Sequence, residues 1–197
     1  MILGPKKLLK LVKTKKLVEN LSERELTNPE GAGFDLRLGE IYEISGDAFL
    51  GETERHTPEN KLVAKYEEVS KAAELQSSKA SNQKGSKKTN SFTFQPGDFY
   101  LVKTIESVNM PENLTANMKP RSTTFRSGLM IRTGNVPPGY CGGLIFGLKN
   151  EGPVPVTIEL GARIIHIQFE EVDGGGNMYR GQWQGGRVTH NKREVQV

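Results

Sequence analysis

The spacing of apolar residues divides the chain into a helical start, a long β-rich centre and a glycine-rich end. Over residues 5–20, Leu8, Leu9, Val12 and Leu17-Val18 fall near one stripe, and Lys6, Lys7, Lys10, Lys13, Lys15 and Lys16 lie elsewhere. That spacing predicts a short amphipathic helix with a solvated basic face. Phe34, Leu36 and Leu38 then alternate within Gly31-Ala32-Gly33-Phe34-Asp35-Leu36-Arg37-Leu38-Gly39, and Ile41 and Ile44 carry the pattern on, as a strand bounded by glycines would. Residues 45–91 are weakly patterned. Val63 to Leu75 reads as a helix, and Ser77 to Asn90, with Lys79, Lys84, Lys87 and Lys88 among serines and amides, reads as a mobile solvated loop.

From Ser91 the period becomes two. Phe92 and Phe94, then Phe99 and Leu101, flank the turn Gln95-Pro96-Gly97-Asp98, and Leu144 to Leu148, Val154 to Leu160 and Arg163 to Phe169 follow as further strands. Glycines at 139, 142, 143, 152 and 161 punctuate them. Many short strands between regular turns predict a mostly β barrel or sandwich. Asp173 to Val197, with Gly174-Gly175-Gly176 and Gly185-Gly186, predicts a flexible arm. Residues 1–172 are then one domain, with 45–91 as its variable segment.

Composition narrows the function classes. A formal charge of +4 and a pI of about 9.1 suit an anionic ligand without demanding nucleic acid. No basic stripe is interleaved with aromatic residues, so nucleic acid is not an expected partner. Cys141 is the only cysteine, which points to a reducing compartment. Cys141 and the scattered His56, His166 and His190 lack the ligand spacing of a zinc nucleobase deaminase. No apolar run reaches membrane-spanning length and no secretory pattern opens the chain, so a cytoplasmic protein without a membrane partner is expected.

The run richest in candidate chemistry is Arg121-Ser122-Thr123-Thr124-Phe125-Arg126-Ser127-Gly128. Guanidinium groups, hydroxyls and backbone amides in one turn make a polyphosphate cradle. The run resembles the phosphate motif of the dUTPase and dCTP deaminase superfamily, in particular its archaeal dCTP deaminase-like dUTPases. Gly31 to Gly39 resembles that family's first motif. Phe94-Gln95-Pro96-Gly97, Thr104-Ile105-Glu106 and Met110-Pro111 resemble the strands leading into the phosphate motif. Gly139-Tyr140-Cys141-Gly142 resembles the third-motif turn, and Gly161-Ala162-Arg163-Ile164 with Ile167-Gln168-Phe169 the fourth motif. Tyr179 to Gly186 resembles the deaminase-type tail.

The resemblance implies a distorted, dUTPase-like β-clip barrel assembled as a homotrimer, with sites between subunits. It places Arg121, Ser122, Thr123, Thr124 and Arg126 on the triphosphate and reacting centre, with Arg126 and Ser122 as the catalytic candidates. Tyr140 would pack the deoxyribose, and Tyr179, Gln182 and Gln184 would close over the ligand, dUTP or dCTP. Mg²⁺ would ride on the phosphates, with no protein metal site. Two positions depart from the family pattern. The acid that activates water in dUTP hydrolysis would stand at Pro137, and the acid that moves protons in dCTP deamination at Gly147; neither residue transfers a proton. Asp35, Glu151 and Glu159 are the substitute carboxylates to inspect. Three readings stay open: dUTP diphosphatase, dCTP deaminase, and a catalytically silent nucleotide-binding relative.

Overall fold

The structure, a computed structural model, describes residues 1–67, 90–189 and 193–195. It opens on helix α1 (Pro5–Lys15), with Pro5 in the first turn, where a missing N–H is not needed. The expected helix to residue 20 stops early. Lys16 turns left-handed (φ 51°), its N–H caps the carbonyls of Leu11 and Val12, and Leu17-Val18 is buried in extended chain instead. β1 (Val18–Glu19) and α2 (Glu23–Thr27) follow, with the Ser22 hydroxyl capping α2 through the Glu25 N–H.

The barrel is built from β2 (Phe34–Ser45), β5 (Glu59–Lys65), β7 (Phe99–Asn109), β8 (Leu114–Pro120), β9 (Leu129–Arg132), β10 (Cys141–Asn150) and β12 (Arg163–Glu171). The antiparallel order is β8-β12-β2-β7-β10-β9, with β1 added to β7 and β5 to β2. β2 is the seam. Its first half pairs with β12, and after a register break between Leu38 and Glu40 its second half pairs with β7 and β5. A bridge between Ala116 and Val136 ties the far edge back to the loop before β10, giving the barrel-like closure expected. Phe34, Leu36, Leu38, Ile41, Ile165, Ile167 and Phe169 fill the interior, and the rings of Phe34 and Phe169 meet edge to face at 6.3 Å.

β6 (Ser91–Phe94) and β11 (Val156–Glu159) form a separate ladder under an aromatic cluster of Phe92, Phe94 and Tyr100. The segment read as unpatterned carries real structure. β3 (Phe49–Leu50) and β4 (Glu54–His56) form a hairpin, to which the tail adds β13 (Glu194–Val195). The helix expected over Val63 to Leu75 is contradicted where it can be seen. Val63 to Lys65 end β5, because an edge of β2 is available for pairing, and residues 68–75 lie outside the described residues. So does the loop read at Ser77 to Asn90, but for Asn90, whose carbonyl accepts the Leu160 N–H at 2.7 Å. Among the described residues, no helix is long and apolar enough to cross a membrane.

β2 and β12 cross closely at Gly33. A Cβ there would run into the carbonyl oxygen of Ile167 and stand 2.6 Å from the His166 Nε2. Gly33→Ala is therefore expected to lower the thermal unfolding midpoint by several degrees, on the order of 1–3 kcal/mol. Thermal melts of the two proteins check this.

Candidate functional site

The polyphosphate-like run folds as a short helix, α3 (Ser122–Arg126), placed directly after β8. Two bonds to Ile164 on β12 pin it: the Arg121 N–H donates at 3.2 Å and the Thr124 hydroxyl at 2.7 Å. Gly128 (φ +88°) reverses the chain against the backbone of Gly152. Asn150 fastens that corner by donating to Phe94 and Val154 and accepting from the Gly152 N–H. The predicted residues therefore divide. Ser122, Thr123 and Arg126 face solvent, together with the exposed ring of Phe125. Thr124 faces inward with its hydroxyl committed to backbone, so its side chain belongs to the packing of α3.

Arg121 leans back onto a buried charge cluster. Its Nη1 lies 3.2 Å from the Asp35 Oδ2. The same oxygen accepts from the Arg163 Nη1 at 3.1 Å, and Oδ1 meets the His166 Nδ1 at 2.9 Å. Behind it the fully buried Glu25 accepts the Asp35 N–H at 3.0 Å and pairs with Arg24 and Arg163. Burial would push the Asp35 carboxyl up. The hydrogen bond with His166 and the charges of Arg121 and Arg163 outweigh it and hold the group below the usual aspartate value. A third buried acid, Glu106, takes the backbone N–H of Arg37 at 2.8 Å and its Nε at 2.6 Å. There burial wins and the carboxyl is raised despite the Arg37 bonds.

Tyr140 stands in the turn before β10. Its hydroxyl donates to the Gly143 carbonyl at 2.8 Å. Burial, with the neighbouring Tyr179, pushes its pKa up to about 12, so it stays protonated and offers a ring face. Tyr179 meets that ring edge-on at 5.5 Å, and its N–H donates to the Pro138 carbonyl at 2.7 Å. Both rings line a cavity of about 510 Å³ whose walls are otherwise mostly carbon, from Leu101, Met118, Val136, Pro137 and Trp183. That volume suits a small organic ligand.

The glycine-rich end forms one wall of this cavity. Gln184 accepts the Cys141 N–H at 3.0 Å and donates to the Gly139 carbonyl at 2.9 Å, and the Gly185 N–H donates to the Cys141 carbonyl at 2.7 Å. Gln182 accepts from the Arg55 Nη2 at 2.8 Å and donates to the Val195 carbonyl. Gln184 thus fastens the arm to the barrel and Gln182 fastens it to the hairpin, so the arm expected to be flexible is docked over its described residues. The docking partner comes from the β3–β4 hairpin. Arg55 and Arg187 stand over the Trp183 ring at 6.0 and 5.4 Å, Thr57 bonds Thr189 at 2.6 Å, and Arg193 pairs with Glu54 at 2.6 Å. The reading of residues missed Trp183 as a cavity wall and Arg55 as its clamp. The only tryptophan, set between two glutamines, was the available signal.

Among the described residues, no carboxylate lines the cavity. Pro137 forms part of its wall. A Cβ at Gly147 would lie 2.8 Å from the ring of Phe99, which covers that glycine. None of the substitute acids replaces them. Asp35 is enclosed in the charge cluster, Glu151 pairs with Arg132 and Lys149 at the surface, and Glu159 is exposed on β11. Among the described residues, no three His, Cys, Asp or Glu side chains converge as a metal cage. Within one chain the structure brings Tyr140 and Tyr179 together on the cavity, and neither Gln182 nor Gln184 is among the residues that line it. Arg121, Ser122, Thr123 and Arg126 are not among the residues that line this cavity.

Two outcomes are expected. A carboxyl lowered by folding contributes stability that is full above its unfolded value, about 4, and is lost as pH falls through its folded value. The thermal midpoint should therefore drop as pH is taken below 4, and Asp35→Asn should flatten that drop; melts at stepped pH measure both. Gly142 (φ +129°) lies where the tail crosses, and a Cβ there would strike Gly185 and Gly186. Gly142→Ala should release the tail, moving the emission of Trp183 to the red and raising its quenching by acrylamide.

The comparisons with known proteins bear on nearly the whole chain. A family model described as dCTP deaminase-like matches residues 2–172. A dUMP-forming dCTP deaminase of Dictyoglomus turgidum is 29% identical over 174 residues, covering 86% of this chain and 79% of that protein. A dCTP deaminase of Pyrococcus furiosus is 28% identical over 180 residues, 90% and 91% of the two chains. A probable deoxyuridine 5′-triphosphate nucleotidohydrolase of Methanothermobacter thermautotrophicus is 28% identical over 160 residues, 81% and 89%. Among solved structures, the 2′-deoxycytidine 5′-triphosphate deaminase of Agrobacterium tumefaciens superposes with a TM-score of 0.60 at 17% identity over 87% of this chain. It shares the fold, and this chain spans about half of its length (49%). With a family model matched from the second residue to the last barrel strand, the chain belongs to the dCTP deaminase-like family.

Proposed function

We propose that the protein is a pyrimidine deoxynucleotide protein of dUTP diphosphatase type, working as a homotrimer on dUTP + H₂O → dUMP + diphosphate. One observation carries the reading. α3 leaves Ser122, Thr123 and Arg126 exposed, with Arg121 half-exposed before them, and none of the four is among the residues that line the chain's own cavity at Tyr140. A phosphate cradle on one face and a sugar-sized apolar cavity on another complete a single site only when two copies meet.

In that site the guanidinium groups of Arg121 and Arg126 and the hydroxyls of Ser122 and Thr123 take the phosphate oxygens through charge-assisted bonds. The Tyr140 ring packs the sugar, because its hydroxyl is already spent on Gly143. Tyr179 and Trp183 exclude water on the tail side. Among the described residues no three His, Cys, Asp or Glu side chains converge on a metal, and Mg²⁺ would fit as an ion carried on the triphosphate, where it neutralises charge. Arg126 and Ser122 remain the residues assigned to the reacting centre.

A second reading, binding without turnover, is favoured by the cavity walls: Pro137 supplies no base, and none of the described lining residues is a carboxylate. Loss of a general base lowers a rate by roughly 10²–10⁴-fold. dCTP deamination needs a proton carrier at position 147 as well, where Phe99 covers Gly147. Calorimetry with dUTP, dCTP and dTTP in Mg²⁺, beside assays for diphosphate and ammonia release, separates the three readings. Expected are dUTP binding, slow diphosphate release and no ammonia. Arg126→Ala should weaken dUTP binding at least tenfold, on the order of 1.4 kcal/mol. Pro137→Asp, which points a carboxylate into the cavity, should raise diphosphate release. Binding of none of the three nucleotides would sink the proposal, and binding without diphosphate release from either protein would leave the second reading standing.

A further inference from the structure

The charge cluster beneath α3 is larger than the fold alone requires. Two carboxylates are buried there, Asp35 and Glu25, and three guanidinium groups approach them, from Arg24, Arg163 and Arg121. Arg24 and Arg163 already bridge both acids, and His166 takes the remaining oxygen of Asp35. Neutralising the buried acids therefore does not need Arg121. Glu30, at the rim, pairs with Arg24 at 3.1 Å.

What Asp35 does for Arg121 is different. The carboxylate cannot swing: its side chain is 5% exposed, one oxygen is fixed by His166, the other by Arg163, and its own N–H is held by Glu25. It touches Arg121 at Nη1 alone, at 3.2 Å. Among the described residues the Nε and Nη2 of Arg121 make no hydrogen bond, and a quarter of the side chain is open to solvent. One corner of a planar fork is thus clamped, and the other donors are left for a ligand. Clamping removes rotamer freedom that an unrestrained arginine would lose on binding. Arg121 is also the residue that leads into α3, so the clamp fixes it beside Ser122 and Thr123.

We infer that Asp35 is a positioning residue of the phosphate site, which holds the Arg121 guanidinium in its ligand-facing orientation and couples that orientation to α2 through Glu25. The inference rests on the phosphate role proposed above for the Arg121–Arg126 run. The ligand class is the phosphate of a deoxynucleoside triphosphate, and Asp35 itself never touches it.

A double-mutant cycle tests this. dUTP affinity in Mg²⁺ is measured by calorimetry for the whole protein, for Asp35→Asn, for Arg121→Ala and for both together, with thermal melts reporting stability. A purely structural Asp35 would weaken binding equally with and without Arg121. The expected result is a loss of about tenfold from Asp35→Asn with Arg121 present, in the range of a charge-assisted bond, and less than about twofold in the Arg121→Ala background. If Asp35→Asn does not fold, His166→Gln, which keeps the carboxylate and frees only its Oδ1, should show the same coupling at roughly threefold. Equal losses in the two backgrounds, or no loss from either variant while Arg121→Ala weakens binding, would overturn the positioning role and leave the phosphate site intact. No dUTP binding by the unaltered protein, or full affinity in Arg121→Ala, would overturn the phosphate reading and the inference together.

Discussion

Asp35 and Glu25 lie out of water at the junction of α2, β2, β12 and the start of α3, and much of the molecule is arranged around that fact. An ionised carboxylate removed from water is tolerated only when cations and hydrogen bonds replace its hydration. Arg163 and His166 must therefore leave β12 on the side facing β2, which sets the register of the seam strands. Arg24 must come from a short helix that would otherwise have little reason to pack where it does. The demand reaches α3 as well, because Arg121 enters the cluster at the point where the chain leaves β8. Glu106 makes a parallel demand on Arg37 two residues further along β2. The strand that closes the barrel is thus anchored by ion pairs on polar positions, while Phe34, Leu36 and Leu38 fill the interior between them.

The tail obeys a different constraint. Rich in glycine, it buries little beyond Tyr179 and docks largely through backbone and amide bonds to the Gly139–Cys141 turn, and through Trp183 beside two arginines. This works only because Gly142 has no side chain and the tail can cross it. The β3–β4 hairpin supplies the rest of the hold with Arg55, Thr57 and Glu54. One wall of the cavity is therefore made by a segment whose order depends on a hairpin well over a hundred residues earlier in the chain.

Much of the barrel was readable in the sequence, since period-two alternation and glycine punctuation report local geometry. The end of α1 was not, because Leu17 and Val18 are apolar in either conformation and only the left-handed Lys16 and an open edge on β7 decide for a strand. β5 was missed for a related reason. Leu62 and Val63 are both partly exposed on an edge strand, so no alternation marks them. At the site, Ser122, Thr123 and Arg126 fell on one exposed face as their residue types implied. Thr124 did not, because a threonine hydroxyl serves a backbone carbonyl as readily as a ligand, and only the position of Ile164 decides. The link between Asp35 and Arg121 spans 86 positions and left no local signal.

The two missing acids differ in how deeply their absence is built in. Pro137 is one of the residues that line the cavity, beside its open volume. Gly147 is the reverse. Phe99, on the strand paired with β10 and two residues off the directly opposite position, lays its ring across the glycine, a diagonal contact that an aromatic side chain reaches easily. A glutamate there would have to displace the ring, and it would stand directly opposite Arg132 on β9. The position where the resemblance expects the hydrolytic acid is therefore part of a cavity wall, while the position where it expects the deaminating acid is bound up with the contact of Phe99 on β10.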